Sequence, residues 1–326
     1  MPWTRLHFFL LFGYLTLSAA ASGCNVCWPR GGQPGACPGG DDDDDASDDD
    51  NDTADDDTGS GDDDTAAGPC GSWTSTILAQ PELACVPAGV FVMGSPVGEE
   101  DRYWDEEQHH VELSRPYFVG TTEVTQHQFL DVIGTEPSDC SYGCGATHPV
   151  MRVDWYGALE FCNVLSELDG LEPVYDLAAD PITWNVAAVG YRLPTESEWE
   201  RAARGGEISE VYAGSDTWEE VGWCDGNSDP YEARPVAQLA PNGYGLYDMS
   251  GNLWEWTWDR YGDYPEGTIS NPALDPMGDE FDGFRVYRGG AFPGAPDQCR
   301  VAYRGDGSPG TLQFNFGFRI ARTVGD

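Results

Sequence analysis

A loop in the C-terminal third of the chain carries two carboxylates at a spacing that suits metal binding. Asp248, Gly251, Leu253 and Glu255 stand at positions i, i+3, i+5 and i+7. In a tight loop that runs into a strand, this spacing can turn both carboxylates and two main-chain carbonyls towards one point, and such hard oxygen donors suit calcium. The same spacing fits an ordinary turn, in which the Asp caps the loop and the Glu pairs with an Arg. Spacing alone favours the ordinary turn.

The residues around this loop closely resemble a known family. Residues 242–256, Asn-Gly-Tyr-Gly-Leu-Tyr-Asp-Met-Ser-Gly-Asn-Leu-Trp-Glu-Trp, resemble the signature of the formylglycine-generating enzymes, also called sulfatase-modifying factors. Further motifs agree in the same order between Ala84 and the end of the chain, at 86–95, 123–125, 191–203, 287–290 and 317–319. The resemblance implies an irregular, loop-rich α+β fold related to C-type lectins, with short strands and few helices. It says less about chemistry, because members of the family differ in activity and some have none.

The resemblance also bears on calcium. Carried onto this chain, the family's calcium loop falls on Asp248, Gly251, Leu253 and Glu255, the four residues that spacing had already singled out. This agreement favours calcium over the ordinary turn. A second family calcium site is expected at 224–234, but the loop there differs and its ligands stay unassigned.

Copper chemistry is the main enzymatic alternative that the resemblance implies. In the active, oxygen-dependent members, two cysteines five residues apart bind copper and engage the substrate thiol, and soft thiolates suit Cu(I). The resemblance assigns the second cysteine to Cys299 and the first to Gly294. The serine of the oxygen pocket is Ala291 here, while a pocket tryptophan is kept as Trp254. One thiolate cannot make a two-cysteine site, so copper is not expected. Cys299 and Trp254 remain the candidate catalytic residues if the chain converts a sulfatase cysteine to formylglycine.

Three states are open for Cys299. It can form a disulfide, most plausibly with Cys224, since both lack an obvious partner nearby in sequence. It can be a free buried thiol. It can also be a reactive thiolate, because the adjacent Arg300 would lower its pKa. The disulfide is favoured.

An iron-dependent oxygenase is a second enzymatic alternative. The sulfoxide synthases of the family carry iron on three histidines, largely from an additional helical domain. Apart from the export segment, this chain has four histidines: His109, His110, His127 and His148. Adjacent residues of a strand point to opposite faces, so His109 and His110 cannot both serve one site simply. The iron site is therefore not expected.

The remaining class is a non-catalytic binding or scaffold domain. Its partner would be a protein, a peptide or a glycan at the cell surface. Trp254 and Trp256 are expected in the core, whereas Trp258, Tyr261 and Tyr264 lie in a polar stretch and are the better candidates for an exposed aromatic platform. We favour this class.

The N-terminus predicts export and a tether. Arg5 precedes an apolar run at 6–17 that is too short to span a membrane comfortably, and Ala21-Ser22-Gly23-Cys24 resembles a bacterial lipobox. Residues 1–24 are thus predicted as a signal peptide with lipidation at Cys24, ordinary cleavage nearby being the alternative. Residues 25–69 are predicted as a disordered tether, since fifteen Asp and no Glu lie between Asp41 and Asp64. The folded domain is predicted at 70–326, outside the cytoplasm and joined to the membrane only by its lipid.

The charge of the chain bears on the kind of partner it can bind, and its cysteine content predicts disulfides. The formal net charge is −41 and all 16 basic residues are Arg, which argues against a nucleic-acid partner. Ten cysteines in an exported chain predict disulfides. Setting Cys24 aside leaves an odd number, so at least one thiol is unpaired or pairs between chains. Short spacings suggest the pairs Cys27–Cys37, Cys70–Cys85 and Cys140–Cys144.

Capping signals predict the elements that position these residues. Thr125 opens a capping box with Gln128, which predicts a helix to about Ile133. Asp154 caps a second helix that ends at Gly170, with Leu159, Cys162 and Leu165 on one face. Thr195 opens a third helix that stops at Gly205. Alternation predicts strands at 91–93 and 109–113.

Overall fold

The computed structural model describes residues 69–70, 81–136, 138, 140–206, 210–228, 232–278 and 283–325. The predicted signal peptide and nearly all of the predicted tether lie outside these residues, as do Cys24, Cys27 and Cys37. Within the described ranges, no helix combines the length and the apolar character that crossing a membrane requires.

Local capping contacts decide where the helices begin. The Thr125 hydroxyl accepts from the Gln128 N–H while the Gln128 side chain accepts from the Thr125 N–H, and Thr195 and Glu198 form the same box. Asp154 caps the second helix. These contacts satisfy N–H groups of the first helical turn that have no partner within the helix. All three predicted helices are confirmed. The helices of the described ranges are α1 (Gln126–Ile133), α2 (Trp155–Leu168), α3 (Glu196–Ala203) and α4 (Trp218–Val221), with 3₁₀ turns at Cys140–Tyr142 and Pro296–Cys299.

The strands are short and form small sheets. The longest, at Trp254–Arg260, has seven residues. The strands are β1 (Leu83–Val86), β2 (Gly89–Met93), β3 (His109–Leu113), β4 (Tyr117–Gly120), β5 (Tyr175–Asp176), β6 (Thr183–Trp184), β7 (Tyr191–Arg192), β8 (Gly222–Trp223), β9 (Ser250–Gly251), β10 (Trp254–Arg260), β11 (Ala273–Leu274), β12 (Arg285–Arg288), β13 (Gly305–Gly307), β14 (Phe316–Gly317) and β15 (Ala321–Thr323). This loop-rich α+β architecture with few helices confirms the predicted fold class.

Two four-stranded sheets organise the domain. In the first, with the order β1-β4-β15-β7, β4 pairs antiparallel with both the first and the last strand. The two ends of the folded part therefore close on each other. In the second, β13-β12-β10-β14, β10 pairs antiparallel with β12 and parallel with β14. The register sets Glu255 opposite Gly317, two residues before Arg319.

The third sheet confirms the predicted strands at 91–93 and 109–113. Its order is β11-β3-β2, and β2 pairs antiparallel with β3 so that Met93 faces His109. His109 is buried and His110 is half-buried, as alternation along a strand requires. The two histidines thus point to different faces, and the prediction that they cannot share one site simply is confirmed.

The aromatic core lies beneath α2 and β10. Trp254 and Trp256 are buried, as predicted. The prediction for Trp258 was wrong. Its ring stacks on Tyr175 at 5.1 Å between centroids and also contacts Trp155 and Trp184. Its polar sequence neighbours suggested exposure, but it continues a strand whose residues are buried along almost their whole length.

Candidate functional site

The loop at 242–256 is held in place by its own side chains. Asn242 donates from Nδ2 to the carbonyls of Ala202 and Ala203 at the end of α3, and its Oδ1 accepts from the Tyr244 and Leu246 N–H groups. The Asn242 side chain thus caps the end of α3 and also shapes the loop. These hydrogen bonds hold the loop without a ligand.

Asp248 is the first of the four predicted calcium ligands. Its Oδ2 accepts from the Ala237 N–H at 2.7 Å. Its Oδ1 is buried and has no hydrogen-bond partner within the part of the chain that the structure describes. A buried carboxylate oxygen without a donor is costly, so Asp248 needs a proton or a cation at Oδ1.

Gly251 and Leu253 continue the loop into β10. At Gly251 the backbone has φ 84°, and a Cβ atom would lie 2.1 Å from the Trp223 carbonyl oxygen, so only glycine fits. The Leu253 N–H donates to Glu123 Oε1 at 3.2 Å. Glu123 belongs to the matching motif at 123–125, but its spacing from this loop gave no sign of the contact.

Glu255 pairs with an arginine, as the ordinary-turn alternative predicted. Arg319 Nε donates to Glu255 Oε2 and Nη2 donates to Oε1, each at 2.6 Å. Trp199 Nε1 adds a bond of 2.8 Å to Oε2. Among the described residues, the arginine is the one hydrogen-bond donor to Oε1, so a lone pair remains on this oxygen. The identity of the arginine was missed, because 64 residues separate it from Glu255.

The loop forms a buried electrostatic cluster of four residues: Glu123, Asp248, Glu255 and Arg319. Burial raises the pKa of Asp248 to about 6. Burial, followed by repulsion from Asp248 and Glu255, raises the pKa of Glu123 well above its usual range. Burial is the largest cause of both shifts, and one guanidinium cannot neutralise three ionised carboxylates, so ionising all three together is unfavourable.

The donor set of this cluster is compatible with a hard cation only if the main chain takes part. Within the described ranges, no three His, Cys, Asp or Glu side chains are grouped so that they could hold a metal ion. The predicted calcium set does not need three, since it combines the two carboxylates with the carbonyls of Gly251 and Leu253. Calcium accepts carbonyl and carboxylate oxygens alike.

The predicted copper segment contains a disulfide. Cys299 is bonded to Cys224, as favoured from the sequence, and the predicted pairs Cys70–Cys85 and Cys140–Cys144 are confirmed. These bonds are typical of proteins that fold in an oxidising compartment, outside the cytosol. In the disulfide, Cys299 has no thiolate for a metal. Cys162 is free and fully buried on α2, and burial raises its pKa.

The surroundings of Cys299 are tightly packed. The Gly294 carbonyl accepts from the Asp225 N–H at 2.8 Å, which joins the segment to the loop that carries Cys224. Ala291 and Trp254 are both buried in the aromatic core. The Trp254 ring contacts Tyr287 and Tyr303 at 4.9 and 5.7 Å between centroids.

The other predicted positions are dispersed. His127 lies on the exposed side of α1, with Nε2 3.6 Å from Asp131. His148 is half-buried near Gly143 and Gly145, and burial lowers its pKa. Tyr261 and Tyr264, unlike Trp258, line a surface cavity together with His109.

Known proteins share these motifs and this fold. A family model described as the sulfatase-modifying factor enzyme 1-like domain matches residues 74–324. The chain is 32% identical over 242 residues to the chaperone protein LppX of Paenibacillus barcinonensis, across 64% of this chain and 80% of that protein. It is 30% identical over 276 residues to the formylglycine-generating enzyme of Streptomyces coelicolor, across 72% of this chain and 87% of that enzyme.

Two further relatives differ in how much of them is matched. The chain spans only 38% of the serine/threonine-protein kinase pkn1 of Chlamydia pneumoniae, at 30% identity over 74% of this chain. The solved structure of Treponema denticola variable protein 1 superposes with a TM-score of 0.66 and 33% identity, covering 74% of this chain and 94% of that one.

The Glu255–Arg319 pair gives a stability prediction. Arg319→Met should lower the free energy of unfolding by about 3–5 kcal/mol, because it leaves Glu255 buried without its counter-charge. Urea unfolding measures the loss. Arg319→Met/Glu255→Gln should recover part of it, and Arg115→Met, at an exposed position, should change stability by less than about 0.5 kcal/mol. A loss in Arg319→Met no larger than in Arg115→Met would contradict the role assigned to this pair.

Proposed function

The chain belongs to the family of sulfatase-modifying factor enzyme 1-like domains, and we propose that it is an exported, lipid-anchored member that binds or scaffolds a partner instead of oxidising one. In this proposal calcium stabilises the domain, and the partner is a protein, a peptide or a glycan at the cell surface. The family holds many functions on one fold, so the proposal rests on the site and not on the fold.

The Cys224–Cys299 disulfide carries this proposal. The family resemblance gives the oxygen-dependent members two thiolates for copper, five residues apart. Here glycine stands at the first position, Gly294, and the sulfur at the second is already bonded to Cys224. Cu(I) binds thiolates, and this segment offers none while the disulfide is intact.

The alternative is that the chain converts a sulfatase cysteine to formylglycine. Its support is the similarity to the Streptomyces coelicolor enzyme and the retained Trp254 beside Ala291. It requires the Cys224–Cys299 bond to open and a second copper ligand that the resemblance does not supply. We therefore favour the binding role.

Calcium is supported by the charge imbalance of the buried cluster. Asp248 through Oδ1, Glu255 through Oε1, and the carbonyls of Gly251 and Leu253 would hold the ion. A divalent cation there would satisfy the oxygen of Asp248 that lacks a partner and would offset the Asp248 charge, which Arg319 leaves unbalanced because it pairs with Glu255. Its role in this proposal is structural.

Lipid anchoring is supported by the sequence at 21–24 and by the acidic run that follows it. A solvated, self-repelling tether would hold the domain away from an anionic membrane surface. The disulfides of the domain are consistent with a position outside the cytoplasm.

The binding role predicts an intact disulfide and no oxidase activity. Mass mapping of the non-reduced protein should yield a linked Cys224–Cys299 peptide. Oxygen consumption with a Cys-x-Pro-x-Arg peptide and copper should equal that of the Cys299→Ser variant. A free Cys299 that binds Cu(I) and supports oxygen-dependent oxidation of the peptide would replace this proposal by the enzymatic alternative.

The calcium proposal predicts a stability gain. At free calcium about a hundred to a thousand times Kd, the free energy of unfolding should exceed that in chelator by roughly 3–4 kcal/mol. Asp248→Asn should abolish the gain while keeping an acceptor for the Ala237 N–H. Asp259→Asn, at another buried carboxylate, should keep it. Identical melting temperatures of the wild type in calcium and in chelator would rule the site out.

The anchor proposal predicts membrane association through one residue. In cell fractionation the wild type should sediment with membranes, and Cys24→Ala should move to the soluble fraction, because the lipid is attached to that thiol. Cys27→Ala, three residues later, should stay with the membranes. Recovery of the wild type in the soluble fraction would refute lipidation.

A further inference from the structure

Two adjoining surface cavities lie around the loop at 261–267. Their volumes are about 610 and 560 Å³, and both are lined by His109, Tyr264, Glu266 and Arg304. We call the smaller one, which opens beside Trp104, the acidic cleft. Neither the predicted calcium loop nor the cysteine segment lines it.

His109 lines this cleft and has an unsatisfied polar atom. The residue is on β3 and only 6% exposed, and Nε2 is buried with no hydrogen-bond partner among the described residues. Nδ1 lies 3.0 Å from the Glu107 carbonyl oxygen. A carbonyl only accepts, so Nδ1 carries the hydrogen, and in the neutral ring Nε2 is an acceptor. A ligand that satisfies His109 must therefore bring a donor.

The charges that line the acidic cleft favour a cationic donor. Four carboxylates line it, those of Asp105, Glu107, Asp263 and Glu266. The arginine of the cleft, Arg304, is already neutralised, since Nε and Nη2 donate to the two oxygens of Glu196 at 2.7 and 2.8 Å.

Three of these carboxylates are accessible. Two of them, Asp263 and Glu266, lie on the loop at 261–267; Glu107, on the chain segment before β3, is exposed as well, and none of the three has an ion-pair partner among the residues that the structure describes. Tyr261 donates to one oxygen of Asp105 at 2.6 Å, which leaves the other to a ligand. Among the arginines, Arg260 lines only the larger cavity, whereas Arg304 lines both.

Aromatic rings complete the wall. The Tyr264 ring lies against His109 at 4.4 Å between ring centroids. The Arg304 guanidinium lies 3.9 Å from the centre of the same Tyr264 ring. Trp104 is 76% exposed and lines the cleft. An exposed indole face beside carboxylates is a favourable surface for an ammonium or guanidinium group.

We propose that the acidic cleft binds an organic cation with N–H donors, which His109 Nε2 accepts from and which Asp263 and Glu266 pair with. An arginine or lysine side chain of a partner peptide has this chemistry, and so does a free polyamine. This inference rests on the binding role proposed above and names the ligand class that the domain would take.

Isothermal titration calorimetry on the purified protein tests the proposal. The probes are acetyl-arginine methylamide, acetyl-lysine methylamide, spermidine and the neutral acetyl-citrulline methylamide. At least one cationic probe should bind roughly tenfold more tightly than the citrulline amide, because a charged donor makes the stronger hydrogen bonds. Tighter binding of the amino-acid amides identifies a peptide as the source, and tighter binding of spermidine identifies a polyamine.

Variants locate the binding. His109→Phe keeps the ring against Tyr264 and removes the acceptor, and Asp263→Asn/Glu266→Gln removes two exposed charges. Each should weaken binding roughly tenfold. The matched control, Glu160→Gln/Glu167→Gln on the exposed face of α2, removes the same net charge and should leave the affinity unchanged.

The outcomes are distinct. Equal weakening by the control variant would mean a general charge effect and would overturn the proposal, as would the absence of binding or equal binding of citrulline. If His109→Phe fails to fold, the exposed double variant decides by itself. None of these outcomes touches the disulfide mapping or the oxygen consumption that test the binding role.

Discussion

The buried pair of Glu255 and Arg319 is the contact on which the rest of this domain depends. Arg319 donates to both oxygens of Glu255 and also to the carbonyls of Gly120 and Tyr247. Through these bonds it joins β10, the end of β4 and the loop at 242–256. Trp199 adds α3 to the same carboxylate. A buried ion pair stabilises only when further hydrogen bonds satisfy its polar groups, and the bonds from Trp199 and to the two carbonyls serve that purpose here.

Buried pairs of a glutamate with an arginine recur along the interior of the domain. Glu200 pairs with Arg204 and Arg288, Glu196 with Arg304, and Glu106 with Arg300, all of them buried. The guanidinium fork matches a carboxylate with two parallel bonds, which the point charge of a lysine cannot do. The chain has 16 Arg, no Lys and a net charge of −41, and many of its arginines are buried in these pairs. The remaining carboxylates leave the chain with a large excess of negative charge.

The cysteine segment takes part in the fold whether or not it carries chemistry. Ala291 lies in the aromatic core, and Arg300 pairs with Glu106. That segment is tied to a neighbouring loop by the Cys224–Cys299 bond and by the Asp225–Gly294 hydrogen bond. One fold can carry different functions, so the architecture by itself does not decide the chemistry of this segment.

The sequence by itself determined local features, such as helix starts and short-range disulfides, and it determined the fold class through its family motifs. Thr125, Asp154 and Thr195 begin helices because each cap acts on N–H groups within three residues, and Cys70–Cys85 and Cys140–Cys144 close short loops. Apart from the Cys224–Cys299 pair, which the sequence already favoured, the tertiary structure decided the partners that lie far apart in the chain. It selected Arg319 for Glu255, buried Trp258 against Tyr175, and left His109 Nε2 unpaired beside an acidic cleft. Spacing along the chain specifies neighbours within a turn or two, whereas these contacts depend on how distant strands and loops pack together.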